Sequence, residues 1–162
     1  MATPTVTPFE LRGADGRPLR GEVRSGGGAR PALVLWPTLL AATERLARAG
    51  FTVVAIGLPA VAHDVDVVLD ALRAGQLGPA PARVAVLGHG AGGREAARRA
   101  AAAGRADATV EWTPAPPGGN PAQATAAGAL LTLTVPAPWQ ANHPEFERAL
   151  AETIKWLATQ LA

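Results

Sequence analysis

Short apolar runs alternate along the chain with longer segments in which apolar and charged residues recur at helical spacing. Continuous apolar runs are typical of strands buried on both faces of a sheet, whereas apolar residues three and four positions apart form one face of a helix. The pattern therefore predicts strands alternating with helices. The predicted strands are 32–36, 51–56, 84–88, 108–112 and 130–135, and the predicted helices are 39–49, 65–74, 93–103 and 144–161.

The amino-terminal segments 9–12 and 19–24 are extended in pattern and flank a turn rich in glycine, aspartate and proline, which predicts an opening β-hairpin. Strands that alternate with helices imply a mostly parallel, twisted sheet with helices on both sides. We therefore predict a single domain of the α/β class over residues 1–162, a three-layer α/β/α sandwich. Asp64 is the predicted N-cap of the second helix, and 113–123 is a predicted irregular loop.

The charge balance argues against a nucleic-acid partner. The chain has 15 Lys and Arg residues against 13 Asp and Glu, so its net charge is only +2. Arg94, Arg98 and Arg105 fall near one another on a predicted helix, which is typical of a solvated face, and they lack the aromatic platforms of single-strand binders. No apolar stretch approaches the roughly 20 residues that span a bilayer. We expect no membrane partner and a cytoplasmic protein, as a monomer or homodimer.

Apart from three histidines, the acids and the threonines, the chain has few side chains that could take part in catalysis or metal binding. There is no cysteine, which excludes a thiolate metal site, and Ser25 is the only serine. His63, Asp64 and Asp66 have a spacing that resembles a set of metal ligands, but the start of a helix accounts for both acids. We therefore expect neither a metal ion nor a cofactor.

The segment 84–93 holds the most informative motif in the chain. It reads as a strand, a tight glycine turn and the start of a helix, which is the shape of the nucleophile elbow G-x-S-x-G. Gly90 stands in the middle slot, where an enzyme of this type carries its nucleophile. Since a glycine has no side chain that can attack, the motif predicts the turn without the covalent chemistry.

Four further segments occur in a recognisable order. They are Gly-Ala-Asp-Gly-Arg-Pro-Leu-Arg-Gly at 13–21, a helix and strand at 44–54, a helix at 66–73, and Ala-Asn-His at 141–143 before a long last helix. Together with the elbow, this order resembles the α/β hydrolases, most of all the dienelactone hydrolases and related esterases. The resemblance covers most of the chain.

The resemblance implies acyl transfer, which needs a nucleophile, a histidine that an acid orients, and backbone donors for the oxyanion. His143 fits the position of the histidine, and His89 beside the elbow is the other candidate base. No Asp or Glu stands between Glu111 and Glu145 to serve as the acid. Two members of the triad are therefore missing.

The oxyanion donors implied by the resemblance are altered as well. The Ala91 amide follows the elbow and keeps its place. The second donor would come from the turn after the first central strand, where Pro37 has no amide hydrogen and Thr38 is the next candidate. Conventional ester hydrolysis is therefore not expected.

The same glycines permit another interpretation. Gly88, Gly90 and Gly93 also satisfy G-x-G-x-x-G between a strand and a helix, and Glu111 follows at the end of the next strand. In a dinucleotide-binding unit such glycines admit a pyrophosphate, and the acid binds the ribose. NAD(P) binding is therefore a rival hypothesis, although three strands and two helices that resemble a hydrolase precede the motif.

Tryptophans mark a possible ligand site. Trp36 and Trp112 end predicted strands and Trp139 follows in a loop, so the three could line a pocket at the carboxyl end of the sheet or simply cover the core. The sequence thus favours a hydrolase-like domain with little or no esterase activity that takes a small ester-like molecule. A non-catalytic ligand-binding domain or designed scaffold is the alternative.

Overall fold

Alternating apolar strands and amphipathic helices build one sheet with helices on both faces. The computed structural model describes residues 3–57, 60–115 and 123–162. The described strands are β1 (Thr5–Arg12), β2 (Pro18–Ser25), β3 (Ala32–Trp36), β4 (Thr52–Ile56), β5 (Val84–His89), β6 (Ala108–Pro114), β7 (Gln123–Ala127) and β8 (Leu130–Val135). The described helices are α1 (Leu40–Arg48), α2 (Asp64–Arg73), α3 (Gly90–Ala102) and α4 (Pro144–Gln160).

The strands form one sheet in the order β1-β2-β4-β3-β5-β6-β8-β7. Strands β4, β3, β5, β6 and β8 are parallel. The hairpin β1–β2 joins β4 in antiparallel fashion on one side, and β7 pairs antiparallel with β8 on the other. The α/β class, the mostly parallel sheet and the amino-terminal hairpin are therefore confirmed. We call the end of the sheet where Trp36 and His89 terminate β3 and β5 its carboxyl end.

Two hydrophobic clusters cover the two faces of the sheet. Because side chains alternate along a strand, Leu33 and Leu35 of β3 belong to one cluster, and Val34 and Trp36 belong to the other. Helices α1 and α4 contribute to the first cluster, and α2 and α3 contribute to the second. We call these the α4 face and the α3 face.

The strand β7 was not predicted. The sequence pattern predicts a loop over 113–123 and a single strand after it. In the structure, β6 extends to Pro114, and β7 forms a hairpin with β8 through Gly128, whose φ is +59°. The side chains of 124–127 are exposed, and they are alanine and threonine without apolar alternation. Nothing in the pattern therefore marked them as a strand. Residues 116–122 of the predicted loop lie outside the described residues.

Asp64 does not cap α2 as predicted. The helix begins at Asp64 itself, and its N-cap residue, His63, makes no side-chain cap. The buried carboxylate of Asp64 instead accepts the amide of Ala14 at 2.6 Å and the amide of Val61 at 3.0 Å. It thereby ties the turn of the amino-terminal hairpin to α2, a long-range contact that helix-start rules do not consider.

Arg98 and Arg99 of α3, and Arg105 just after the helix, are paired with acids. Arg98 lies 2.7 Å from Glu111, Arg99 lies 2.9 Å from Asp66, and Arg105 contacts Asp66 and Asp70. The arginine side chains stay at least partly exposed while the acids neutralise them, in agreement with a solvated face. The pairs of Asp66 and Asp70, in which both partners are partly exposed, contribute about 0–1 kcal/mol each.

The junction of β5 and α3 depends on two glycines. A Cβ atom added at Gly88 would overlap the backbone of Gly93, and one added at Gly93 would overlap the carbonyl oxygen of Trp36. The first turn of α3 therefore lies directly against the ends of β3 and β5. Gly92, one residue before Gly93, has open space around the position of a Cβ atom.

We predict opposite effects for alanine at these neighbouring positions. Gly93→Ala should lower the free energy of unfolding by about 1–3 kcal/mol, because backbone must move to accommodate the methyl group. Gly92→Ala should leave it unchanged or raise it by up to about 1 kcal/mol, because alanine favours a helix. Urea unfolding measures both, and equal effects of the two variants would contradict the close approach.

Candidate active site

Gly90 has the backbone of a nucleophile elbow and an open slot. Its φ is +70°, it is exposed, and a Cβ atom added there would meet nothing within 4 Å. A side chain in this conformation would project from the carboxyl end of the sheet at the start of α3. The turn that the motif predicts is therefore formed, and the slot is empty because the residue is glycine.

The two predicted oxyanion donors differ in availability. No side chain caps the amino end of α3, where the exposed Ala91 follows Gly90. An amide in the first turn of a helix has no partner within the helix, so the Ala91 amide can face a developing oxyanion. The Thr38 amide donates to the carbonyl of Ile56 at 2.9 Å, and its hydroxyl donates to the same oxygen at 2.8 Å. Thr38 is therefore committed to the sheet, which corrects its predicted role.

His89 is held as a neutral ring. Its Nε2 lies 2.9 Å from the carbonyl oxygen of Pro37, and since a carbonyl only accepts, Nε2 carries the proton. Burial lowers the pKa of His89 below its ordinary value, and the bond to Pro37 only partly opposes this effect. The ring also meets Trp139 edge-on, with the ring centroids 5.7 Å apart. Nδ1 is then the unprotonated nitrogen and the only one that could act as a base.

His143 occupies the N-cap position of α4, as the residue before Pro144. Its side chain makes no cap, and its buried Nδ1 has no hydrogen-bond partner in the described part of the chain. In a catalytic triad, Nδ1 is the atom that donates to the orienting acid. No acid among the described residues therefore accepts a hydrogen bond from this nitrogen.

Glu147 fixes the loop before α4, a role that the sequence analysis missed. One of its oxygens accepts the amide of Asn142 at 3.0 Å, and the other accepts Arg45 at 2.6 Å. Both contacts lower the pKa of Glu147. The carboxylate is therefore already engaged by two donors and does not replace the acid of a triad. An acid in the first turn of a helix was the available signal.

Glu111 is also engaged elsewhere. It is 2% exposed and accepts two bonds from the Arg98 guanidinium, at 2.7 and 3.3 Å. Moreover, Gly88 and Gly93 are already required by the packing of α3 on the sheet. The pattern that suggested NAD(P) binding therefore has a structural explanation at three of its positions, and a ribose would have to displace Arg98 from Glu111.

The three tryptophans do not share one environment. Trp36 is buried on the α3 face, whereas Trp112 is buried on the α4 face with half-buried Trp139 packed against that cluster. Trp112 stacks edge-on with Trp139 and with Phe146, at 5.7 Å in each pair. Its indole donates to Thr153 at 3.0 Å. The structure thus brings together two of the three predicted pocket residues, and of these only Trp139 is partly accessible.

Neither a metal cluster nor a membrane-spanning helix occurs in the part of the chain that the structure describes. No group of three or more His, Asp or Glu residues there is placed to hold a metal ion, and the pair of acids near His63 is used by Ala14, Val61 and the arginines. None of the described helices has the length and apolar character needed to cross a bilayer.

Comparison with solved structures identifies the fold. No protein-family model and no curated protein matches the chain. A cold-adapted esterase from an Arctic intertidal metagenomic library superposes with a TM-score of 0.67 at 15% identity, covering 100% of this chain and 96% of that one. Brefeldin A esterase, a bacterial homologue of human hormone-sensitive lipase, superposes at 0.53 with 20% identity over 69% of this chain. The α/β hydrolase GrgF from Penicillium sp. sh18 superposes at 0.54 with 21% identity over 67%.

These likenesses show that the chain has the α/β-hydrolase fold. The match covers 40% of brefeldin A esterase, 45% of GrgF and 43% of a hypothetical protein from Pseudomonas aeruginosa, so the chain matches less than half of the length of these larger proteins. The Arctic esterase, in contrast, is matched almost from end to end.

We predict that acid destabilises the fold through His89. Its folded-state pKa is lowered from 6.5, so below that pH the unfolded chain binds the proton more readily, and the free energy of unfolding falls as the pH falls. His89→Gln keeps a donor for Pro37 without titrating and should flatten this dependence between about pH 7 and pH 5. Urea unfolding at a series of pH values, for the unmodified chain and for His89→Gln, measures how the free energy of unfolding of each depends on pH.

The control for this series is His63→Gln, which removes an exposed histidine. It should retain the slope of the unmodified chain. The lowered pKa of Glu147 acts mainly below about pH 5, at the acid limit of the measured window. An unchanged slope in His89→Gln would contradict the assignment of a buried neutral ring.

Proposed function

We propose that the chain is an α/β-hydrolase-fold domain that does not hydrolyse esters through a covalent intermediate. The observation that carries this proposal is Gly90, which holds the elbow conformation with an open slot and no nucleophile. The unpaired Nδ1 of His143 supports it, because a working triad would place an acid there. The order of the segments 13–21, 44–54, 66–73 and 141–143 around the elbow leads us to propose the dienelactone hydrolases and related esterases as the branch of the fold that this chain resembles.

The residues at the carboxyl end of the sheet favour weak, non-covalent binding of a ligand. We propose a small ester-like molecule whose carbonyl oxygen accepts the Ala91 amide, beside the half-buried Trp139. If hydrolysis occurs at all, His143 or the Nδ1 of His89 would remove a proton from water, which attacks the carbonyl directly. Loss of the covalent step and of one oxyanion donor makes this route slow, since a single donor is worth about 10²–10³ in rate.

We predict no enzymatic hydrolysis of p-nitrophenyl acetate. The chain should release p-nitrophenol no faster than its three histidines would as free imidazoles, because no nucleophile stands at position 90. His143→Ala should lower the rate by no more than His63→Ala, which removes an exposed histidine. A clear rate that is lost in His143→Ala alone would overturn the proposal.

Restoring the nucleophile alone should not restore the site. Gly90→Ser places a hydroxyl in the open slot, at a cost of about 1–2 kcal/mol for a side chain at positive φ. Without an acid to orient His143, the serine should react with a fluorophosphonate probe as slowly as the serine of Gly92→Ser, its matched control two residues away. Mass spectrometry follows the labelling. Rapid labelling of Gly90→Ser alone would show an organised triad and contradict this account.

A further inference from the structure

Three hydroxyl side chains form a row across neighbouring strands at the amino end of the sheet. Thr5 of β1 lies opposite Ser25 of β2 in the antiparallel register. Ser25 Oγ lies 3.1 Å from Thr52 Oγ1 at the start of β4. Within this pair one hydroxyl donates to the other, so one of the two O–H groups remains free to donate to a ligand.

An apolar row continues the same surface. Further along the same face of the two strands, Thr7 lies opposite Val23, and Phe9 lies opposite Gly21. A Cβ atom on Gly21 would come within 2.7 Å of the Phe9 ring, so the ring packs over a position without a side chain. Phe9 also packs against the cluster of the α3 face. A hydroxyl row and an aromatic surface thus lie side by side.

These two rows form one wall of a cleft of about 450 Å³. The glycine loop 26–28 closes one side, and the turn at 76–79, with Leu77, closes another. The loop is held in place from within the chain, since the Gly27 amide donates to Ser25 Oγ at 3.1 Å and Arg30 Nε donates to the Gly27 carbonyl at 2.7 Å. These two bonds fix the glycine loop beside the cleft.

The residues that line the cleft carry no charge. They are threonine, serine, glycine, proline and glutamine together with the apolar Phe9, Val23 and Leu77. Arg30 contacts the glycine loop and is not among the residues that line the cleft. A charged ligand would lose its hydration without finding a counterion, whereas a neutral one loses little.

We propose that this cleft binds a small uncharged ring compound carrying a hydroxyl or carbonyl group. The ring lies against Phe9 and Leu77, and the polar group exchanges hydrogen bonds with Ser25 and Thr52. The cleft is at the amino end of the sheet, beside the first residue of β4, whereas Gly90 follows the carboxyl end of β5. The proposal is therefore independent of what happens at the elbow.

Benzyl alcohol is the probe for the first test, in a titration followed by NMR of the ¹⁵N-labelled chain. We expect saturable shifts of the Gly26, Gly27 and Gly28 amides, with a Kd on the order of millimolar for so small a ligand. Benzoate and benzylammonium keep the ring and add a charge of either sign. Each should bind at least about tenfold more weakly than the alcohol, which corresponds to about 1.4 kcal/mol.

A matched pair of variants tests the hydroxyl row. Thr52→Val keeps the shape of the side chain, suits a strand and should weaken benzyl alcohol binding about fivefold, the effect of one hydrogen bond. Thr125→Val makes the same change on the exposed strand β7 at the far side of the sheet and should leave the Kd unchanged. The proposal is overturned by the absence of saturable shifts at the glycine loop, by equal binding of either ion, or by equal affinity of the two variants. The comparison of the three probes uses the unmodified chain and does not depend on how either variant folds.

Discussion

The close approach of α3 to the centre of the sheet is the constraint on which the rest of the structure depends. Gly93 lies against the carbonyl of Trp36, and Gly88 lies against Gly93, so backbone contacts backbone where most proteins place side chains. The next turns of the helix continue the contact with Ala96, Ala97 and Ala100, all fully buried. This approach turns the chain sharply after β5 and directs Gly90 and the first amides of α3 toward solvent.

At the turn after β5, backbone packing by itself accounts for the geometry. Positive φ at Gly90, an uncapped helix start and an open slot are all present, and they follow from packing alone. The catalytic groups that we propose are missing would depend on side chains instead: position 90 is a glycine, Nδ1 of His143 has no partner among the described residues, and the Thr38 amide binds Ile56. The fold at this turn therefore does not depend on a side chain at position 90.

Polar groups near the carboxyl end of the sheet are satisfied mainly within the chain. His89 binds Pro37, Thr38 binds Ile56, and Glu147 holds the loop that carries His143. Such bonds fix the site and leave few free donors for a substrate. At the amino end, in contrast, Ser25 and Thr52 share a single bond and keep hydrogen-bonding capacity beside an apolar surface. The two ends therefore differ in what they offer a ligand.

The sequence by itself determined the α/β class, the strands from β3 to β6, the four helices and the glycine turn at 88–93, because buried strands and amphipathic helices leave periodic apolar patterns. It also determined that position 90 lacks a nucleophile, since that depends on residue identity alone. Strand β7 was missed because an exposed strand of alanine and threonine needs no apolar alternation. Only the tertiary structure decided that Thr38 is committed to Ile56, that Glu111 is paired with Arg98, and that Trp36 and Trp112 lie on opposite faces. Each of these outcomes depends on contacts between residues far apart in the chain, which local spacing does not encode.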